Sequence, residues 1–356
     1  MAGAGFLGAV YAGVAARRRQ WYTGHPQHRR WLDRPVISVG ALAAGGSGKT
    51  PVAVVVARTL ASLGEHPAIL SRGYGRQRRP TGAVVVSERG GLRAGIEVAG
   101  DEPFMMARRL SDTSVVVADN RYLAGQVAER ELGATVHVLD DGYQHLRLNR
   151  DVDILVLGRD DLTGRPLPAG RLRESVDAGH TVDAVLIEAD GDTNADGHAA
   201  SRVSQRTDHE VPSLPRTVLA GETFSFSRRL EKSQSVSFAS PSQSDAGAKC
   251  LAVCGIARPL AFFEALRRAG YELVDAMSFA DHHVYSSRDI DRIGKRLTAT
   301  AATHVLTTEK DVVRFETRSP LPFPLRWVPL RIGVAPAARF RTFVARAVAT
   351  ARRARQ

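Results

Sequence analysis

Several short groups of residues carry the types and spacings that can do chemistry. Gly45-Gly46-Ser47-Gly48-Lys49-Thr50 follows the apolar, β-branched run Val36-Ile37-Ser38-Val39 and precedes a segment with apolar residues at helical spacing to Leu63. Strand, glycine loop and helix together suit an anion. Glycine lets successive backbone N–H groups face one phosphate, and the helix N-terminus adds its positive end. Lys49 would reach the β- and γ-phosphates of a nucleotide, and the Thr50 hydroxyl would sit on Mg²⁺. The strict P-loop spacing asks for glycine at position 43, where this chain has Ala43.

A second apolar run, Val136–Leu139, ends in Asp140-Asp141. Behind a P-loop, such a carboxylate holds Mg²⁺ directly or through water. Gly142-Tyr143-Gln144-His145 follows. Asp101-Glu102 opens a helical stretch, where two roles stay open: a bland first-turn carboxylate, or a carboxylate near the γ-phosphate that takes a hydroxyl proton. Arg72, Tyr74 and Arg76 share one glycine-bearing loop after a strand, an anion-binding pattern that a solvated basic loop would also satisfy. Arg173-Glu174 lies after a proline turn. Asp281-His282-His283 could poise a proton carrier or tune a carboxylate, although such a His pair is more often structural, and no third ligand in range argues for a metal. Thr307-Thr308-Glu309-Lys310-Asp311 caps a strand in an order that gives no guanine specificity.

These groups need a scaffold. Apolar runs at 35–39, 68–71, 83–87, 114–118, 135–139, 152–157 and 182–188 alternate with helical stretches, which predicts a mostly parallel sheet covered by helices, with the chemistry at the C-terminal strand ends. The predicted organisation is an N-terminal interfacial helix with a basic flank over 1–34, a nucleotide-binding α/β domain over 35–215, a linker with a polar stretch over 216–248, and a smaller α/β domain with a basic tail over 249–356. A short strand at Thr223–Phe226 would serve the linker. Phe6, Leu7, Val10, Tyr11 and Val14 fall on one helical stripe, and Arg17-Arg18-Arg19, Trp21 and Trp31 follow. The positive charge comes after the apolar run, unlike a signal peptide, and the run is shorter than the roughly 20 residues that span a bilayer, so an interfacial helix fits, with an ordinary helix packed on the domain as the alternative.

The chain has 356 residues, 44% of them hydrophobic, and a formal net charge of +12, so it suits an anionic partner. No single domain shows a basic stripe interleaved with base-stacking aromatics, which argues against nucleic acid. The two cysteines, Cys250 and Cys254, read as buried inert thiols of a chain kept in a reducing compartment.

With the motifs in order, VGALAAGGSGKTP, LSRGYGR, GDEP, LDDGYQH, LPAGRLRE, CGIARPLAFF, FADHHVY and TEKD, the chain resembles the tetraacyldisaccharide 4′-kinase (lipid A 4′-kinase) family from about Trp31 to Arg314, apart from the polar stretch 190–248. Departures are Ala41, Ala43 and Ser47 in the loop, with Tyr143 and Arg171 beyond it. None removes Lys49, Thr50 or the carboxylates. The resemblance implies transfer of the ATP γ-phosphate to the 4′-hydroxyl of a tetraacylated glucosamine disaccharide 1-phosphate. The place would be the cytoplasmic face of the inner membrane of a Gram-negative bacterium, with the enzyme peripheral or monotopic on that anionic surface. It also implies a P-loop domain joined to a smaller one by a two-stranded linker. Carried over by motif, Gly45 to Thr50 with Gln144 and His145 would hold ATP, and Thr50, Asp140 and Glu102 the Mg²⁺. Asp101 with His282, Asp141 and Lys49 would carry the reaction, and Tyr74, Arg72, Arg76, Arg173 and Glu174 would meet the substrate. A monomer is the favoured expectation.

Overall fold

In the computed structural model, residues 2–176, 182–189, 221–236 and 248–356 are described. Most of the polar stretches expected to be flexible, including 190–215, lie outside them. The N-terminal helix is α1 (Ala2–Gly24). There follow β1 (Val36–Ala41), α2 (Lys49–Ser62), β2 (Pro67–Ser71), β3 (Val84–Glu88), β4 (Gly91–Leu92), α3 (Ile96–Ala99) and α4 (Asp101–Arg109). Then come β5 (Ser114–Val117), α5 (Arg121–Arg130), β6 (Val136–Asp140), β7 (Val152–Leu157), β8 (Ala184–Glu188) and β9 (Glu222–Leu230).

These strands build one large sheet in the order β9-β8-β7-β1-β6-β2-β5-β3-β4, parallel from β9 through β5, with β3 and β4 antiparallel at the edge. Every residue of β1, β2, β5 and β6 is buried, which is why these runs are continuously apolar rather than alternating. The parallel order turns β1 and β6 so that their C-terminal ends, the P-loop and Asp140-Asp141, lie side by side.

The smaller unit follows with β10 (Gln234–Ser235), β11 (Lys249–Cys254), α6 (Pro259–Arg268), β12 (Glu272–Ser278), α7 (Ser287–Ala299), β13 (His304–Thr308), α8 (Glu309–Glu316) and β14 (Leu325–Val328). Its sheet runs β10-β14-β13-β11-β12 and has its own core around Leu251, Tyr285, Phe315 and Leu325. Both cysteines are buried on β11.

The small unit ends earlier than expected. After Val328 the chain re-enters the large sheet as β15 (Leu330–Ala335), antiparallel to β9. The last helix, α9 (Ala337–Arg353), packs Phe340, Phe343 and Val344 into the core shared with Val52 and Val56 of α2. Residues 330–353 therefore belong with the large-sheet unit, not with the small domain drawn over 249–356. The short linking strand is likewise a nine-residue member of the large sheet. Neither pairing was visible locally, because each depends on a partner about a hundred residues away. The basic tail is largely paired: Arg352 meets Glu65 at 2.6 Å, Arg339 meets Glu222 at 3.0 Å, and Arg355 meets Asp151.

Candidate active site

The P-loop leaves β1 and turns through Gly45, Gly46 and Gly48, all in left-handed conformations at φ 69°, 68° and 89°. These are the positions where a side chain would be strained. Ala43 has no such requirement. It is fully buried against Leu172, with which it forms an isolated bridge, so alanine fits where the strict spacing asks for glycine.

At the start of α2, the Thr50 hydroxyl lies 3.2 Å from Asp140 Oδ1 and 3.4 Å from Glu102 Oε2, and Ser71 donates to Asp140 Oδ2 at 3.2 Å. Burial, then the charges of Glu102 and Asp141, push the Asp140 carboxyl up to about 7. Negative charge is thus crowded beside a hydroxyl. Such a set fits a hard divalent cation like Mg²⁺, which takes a hydroxyl and one or two carboxylates and fills its remaining positions with water and phosphate. Among the described residues no cage of three or more His, Cys, Asp or Glu side chains forms.

Lys49 Nζ sits 3.3 Å from Asp141 Oδ1. Asp141, itself at φ 51°, also accepts from Arg173 Nη1 at 3.0 Å and 3.1 Å. Gln144 Oε1 accepts from the same Nη1 at 3.3 Å, and Gln144 Nε2 donates to the Ala41 carbonyl. Next along, burial and the charges of Arg121 and Arg150 hold the His145 imidazole down to about 4, so it is neutral near pH 7.

Across the cleft, Asp101 at the head of α4 meets the small unit. His282 Nδ1 lies 3.0 Å from Asp101 Oδ2, and Arg314 Nη2 pairs with the same oxygen. His282 Nε2 lies 3.1 Å from Lys310 Nζ. An ammonium only donates, so Nε2 accepts and Nδ1 carries the proton that faces Asp101. Burial alone would raise the Asp101 carboxyl; the His282 hydrogen bond and the charges of Arg314 and Lys310 outweigh it and hold the group well below the usual carboxylate range. Lys310 also contacts Glu102 at 3.1 Å and Asp281 at 3.2 Å. Its pKa is raised: burial opposes the charge, but Glu102, Asp101 and Asp281 prevail. The Tyr74 ring stands edge-on to His282 at 4.7 Å between centroids and is 63% exposed. His283, by contrast, turns away to Asp289 at 3.1 Å.

The loop residues and acidic pairs therefore converge on one cleft of 1460 Å³ that has Lys49, Asp141, Glu102 and His282 in its wall. Two expected substrate residues are occupied otherwise. Arg76 is buried, folded under Gly73, and reaches Asp119 at 2.9 Å. Glu174 is buried against Arg19 of α1, whose guanidinium donates to both carboxylate oxygens at 2.7 Å and 2.8 Å and stacks over Tyr143 at 4.0 Å. Residues the motifs did not bring forward include Arg228 of β9, which donates to the Gly46 carbonyl at 3.1 Å, and Arg121, buried beside Asp140. Lys310 and Arg314 also join the site. Lys310 stood in the TEKD motif, which was its available signal; Arg228 had none, because its register is set by the long-range β9–β15 pairing.

A P-loop with carboxylates at its side, lining a cleft that also carries His282 and Lys310 of the small unit, defines a nucleotide-dependent phosphotransferase. The family model described as tetraacyldisaccharide-1-P 4'-kinase matches residues 5–349. The chain is 38% identical over 308 residues to the tetraacyldisaccharide 4'-kinase of Geobacter sulfurreducens, covering 86% of this chain and 82% of that one. It is 37% identical over 307 residues to the enzyme of the same name from Pelobacter propionicus, at 86% and 80% coverage. The crystal structure of LpxK from Aquifex aeolicus in complex with ATP superimposes with a TM-score of 0.73 at 29% identity, covering 96% of this chain and 97% of that one. The chain belongs to the tetraacyldisaccharide-1-phosphate 4'-kinase family.

Proposed function

We propose that this protein is the ATP-dependent 4′-kinase of lipid A biosynthesis, which phosphorylates the tetraacyl glucosamine disaccharide 1-phosphate. The single observation that carries the residue assignment is the hydrogen bond between Asp101 and His282, the latter lining the same cleft as Lys49 and Thr50. Thr50, Asp140 and Glu102 would hold Mg²⁺, which would supply neutralisation of the phosphate charge. Lys49 and the Gly45–Gly48 backbone hold the triphosphate in line. Asp101 takes the proton of the 4′-hydroxyl, and His282 keeps its carboxylate oriented. A carboxylate held this acidic is a weak base, which suits a loose transition state in which the proton leaves late.

The acceptor arrives from a membrane surface in this reading. Leu7, Val10, Tyr11 and Val14 of α1 are exposed, with Val14 at 64%, and Tyr11 and Val14 stand at the cleft mouth. Arg17 and Arg18 follow on the same helix, exposed. Among the described residues no helix is long and apolar enough to cross a membrane, so α1 would lie in the interface with its basic end toward anionic headgroups, on the cytoplasmic face of the inner membrane. The test is transfer of label from γ-labelled ATP by purified protein: label on the tetraacyldisaccharide 1-phosphate is the expected result, and hydrolysis to free phosphate with an unlabelled lipid overturns the reading.

A further inference from the structure

Behind the Asp101–His282 pair lies a second layer, built wholly from the small unit. Asp311 has no exposed side-chain surface, and its carboxylate is saturated. It accepts from the Gly255 N–H at 3.1 Å, the Tyr285 hydroxyl at 3.1 Å, the Thr308 hydroxyl at 2.6 Å and Arg314 Nη1 at 3.1 Å. Tyr285 is fixed in turn by stacking on Phe315 at 3.9 Å. Arg314 Nη1 also reaches the Gly255 carbonyl at 3.3 Å. One edge of the guanidinium is thus clamped inside the small unit, while its other nitrogen, Nη2, crosses to Asp101. Both side chains of that crossing pair are buried, at 7% and 5% exposure.

The crossing selects between the two carboxylate oxygens. Oδ2 takes both Arg314 and the shorter His282 contact, whereas His282 is 3.3 Å from Oδ1. Beside Oδ1 stands Gly75, where a Cβ would come within 3.2 Å, so the missing side chain keeps that side clear. A planar fork gripping Asp311 with one arm and Asp101 with the other fixes the plane of the Asp101 carboxylate, which a point charge cannot do.

We infer that Arg314, braced by Asp311 and Tyr285, is the positioning residue that turns Asp101 Oδ1 toward the acceptor hydroxyl. The inference rests on Asp101 being the base, and the test separates the two. Steady-state kinetics on the full chain with ATP and tetraacyldisaccharide 1-phosphate compare wild type, Arg314→Lys, Tyr285→Phe, Asp101→Asn and the double variant Asp101→Asn/Arg314→Lys. Arg314→Lys keeps the charge beside Asp311 but loses the fork. Its kcat should fall about 10²-fold, the cost of a misplaced reacting group, while KM for both substrates stays within about threefold. Tyr285→Phe keeps the ring stack and drops one brace, so its kcat should fall about threefold. In the double variant, Arg314→Lys should add no further loss, because the group it positions is gone. Unchanged kcat in Arg314→Lys, or full additivity in the double variant, overturns the inference and leaves an inactive Asp101→Asn as support for the base. A loss in Arg314→Lys that falls on KM rather than kcat assigns the residue to holding the two units together, and also overturns it. Wild-type kcat in Asp101→Asn removes the base assignment itself, whatever Arg314 does.

Discussion

The two halves of the cleft are built on different plans. On the donor side, Lys49 and Thr50 sit on the first turn of α2, and Asp140 ends the strand adjacent to β1. The parts are held by one buried sheet. On the proposed acceptor side, Asp101 comes from the large sheet's helix α4, while His282, Lys310 and Arg314 come from the small unit. That half exists only while the two units are apposed. In the proposed assignment the donor site is pre-organised by backbone, and the acceptor site by charge pairing across an interface. The difference implies that nucleotide binding should survive damage that abolishes transfer, and not the reverse.

The sharpest way to break this contrast is Asp101→Ala. Its kcat should fall about 10³-fold, within the span of general-base losses, while ATP affinity measured by calorimetry barely changes. An equal loss in both would place Asp101 on the nucleotide side. Lys49→Ala should cost roughly 10²-fold in kcat and weaken ATP binding as well, since its ammonium serves ground state and transition state alike. Breaking the Arg19–Glu174 pair tests how α1 is held against the large unit. Glu174→Ala strands a buried guanidinium and should lower stability by about 3 kcal/mol, read by chemical denaturation. By contrast, Val10→Glu with Val14→Glu, which touches only exposed positions of α1, should leave stability intact and weaken binding to anionic vesicles.

The smallest effect is one of pH. His145 titrates near 4 when folded and near 6.5 in the unfolded chain, so the unfolded state binds the extra proton between these values. Stability attributable to this group is therefore complete above about 6.5 and declines as pH falls toward 4. His145→Gln should flatten that part of the stability profile, and an unchanged slope would move the effect to another group.

What the sequence disclosed follows the same division. The donor side was legible because its strand, loop and helix are contiguous, and fully buried parallel strands leave unbroken apolar runs such as Val36–Val39. The acceptor side was half legible. Asp101 and His282 stood in motifs, but which histidine faced the carboxylate was decided by the turn at His282, whose φ is 61°. Arg314 looked like an ordinary basic residue on an unforeseen helix, and its meaning lies in Asp101, far away in the chain. Arg76 shows the converse: an arginine on a glycine loop suggests an anion, yet Gly73 offers the space into which this one folds. The C-terminal strand and helix were assigned to the wrong unit because sequence order favoured the neighbour they follow.

The double strand β9–β15 has a bearing on how such a protein can be rebuilt. The chain leaves the large sheet at Leu230 and returns at Leu330, and the two crossings are stapled where the Glu231 N–H donates to the Pro329 carbonyl at 2.9 Å. In architectural terms the whole acceptor-bearing unit is a cassette inserted into a β-hairpin, with entry and exit side by side. A recombinant exchange at these two junctions would transplant His282, Lys310, Arg314 and their bracing as a block, leaving every strand of the nucleotide sheet uncut.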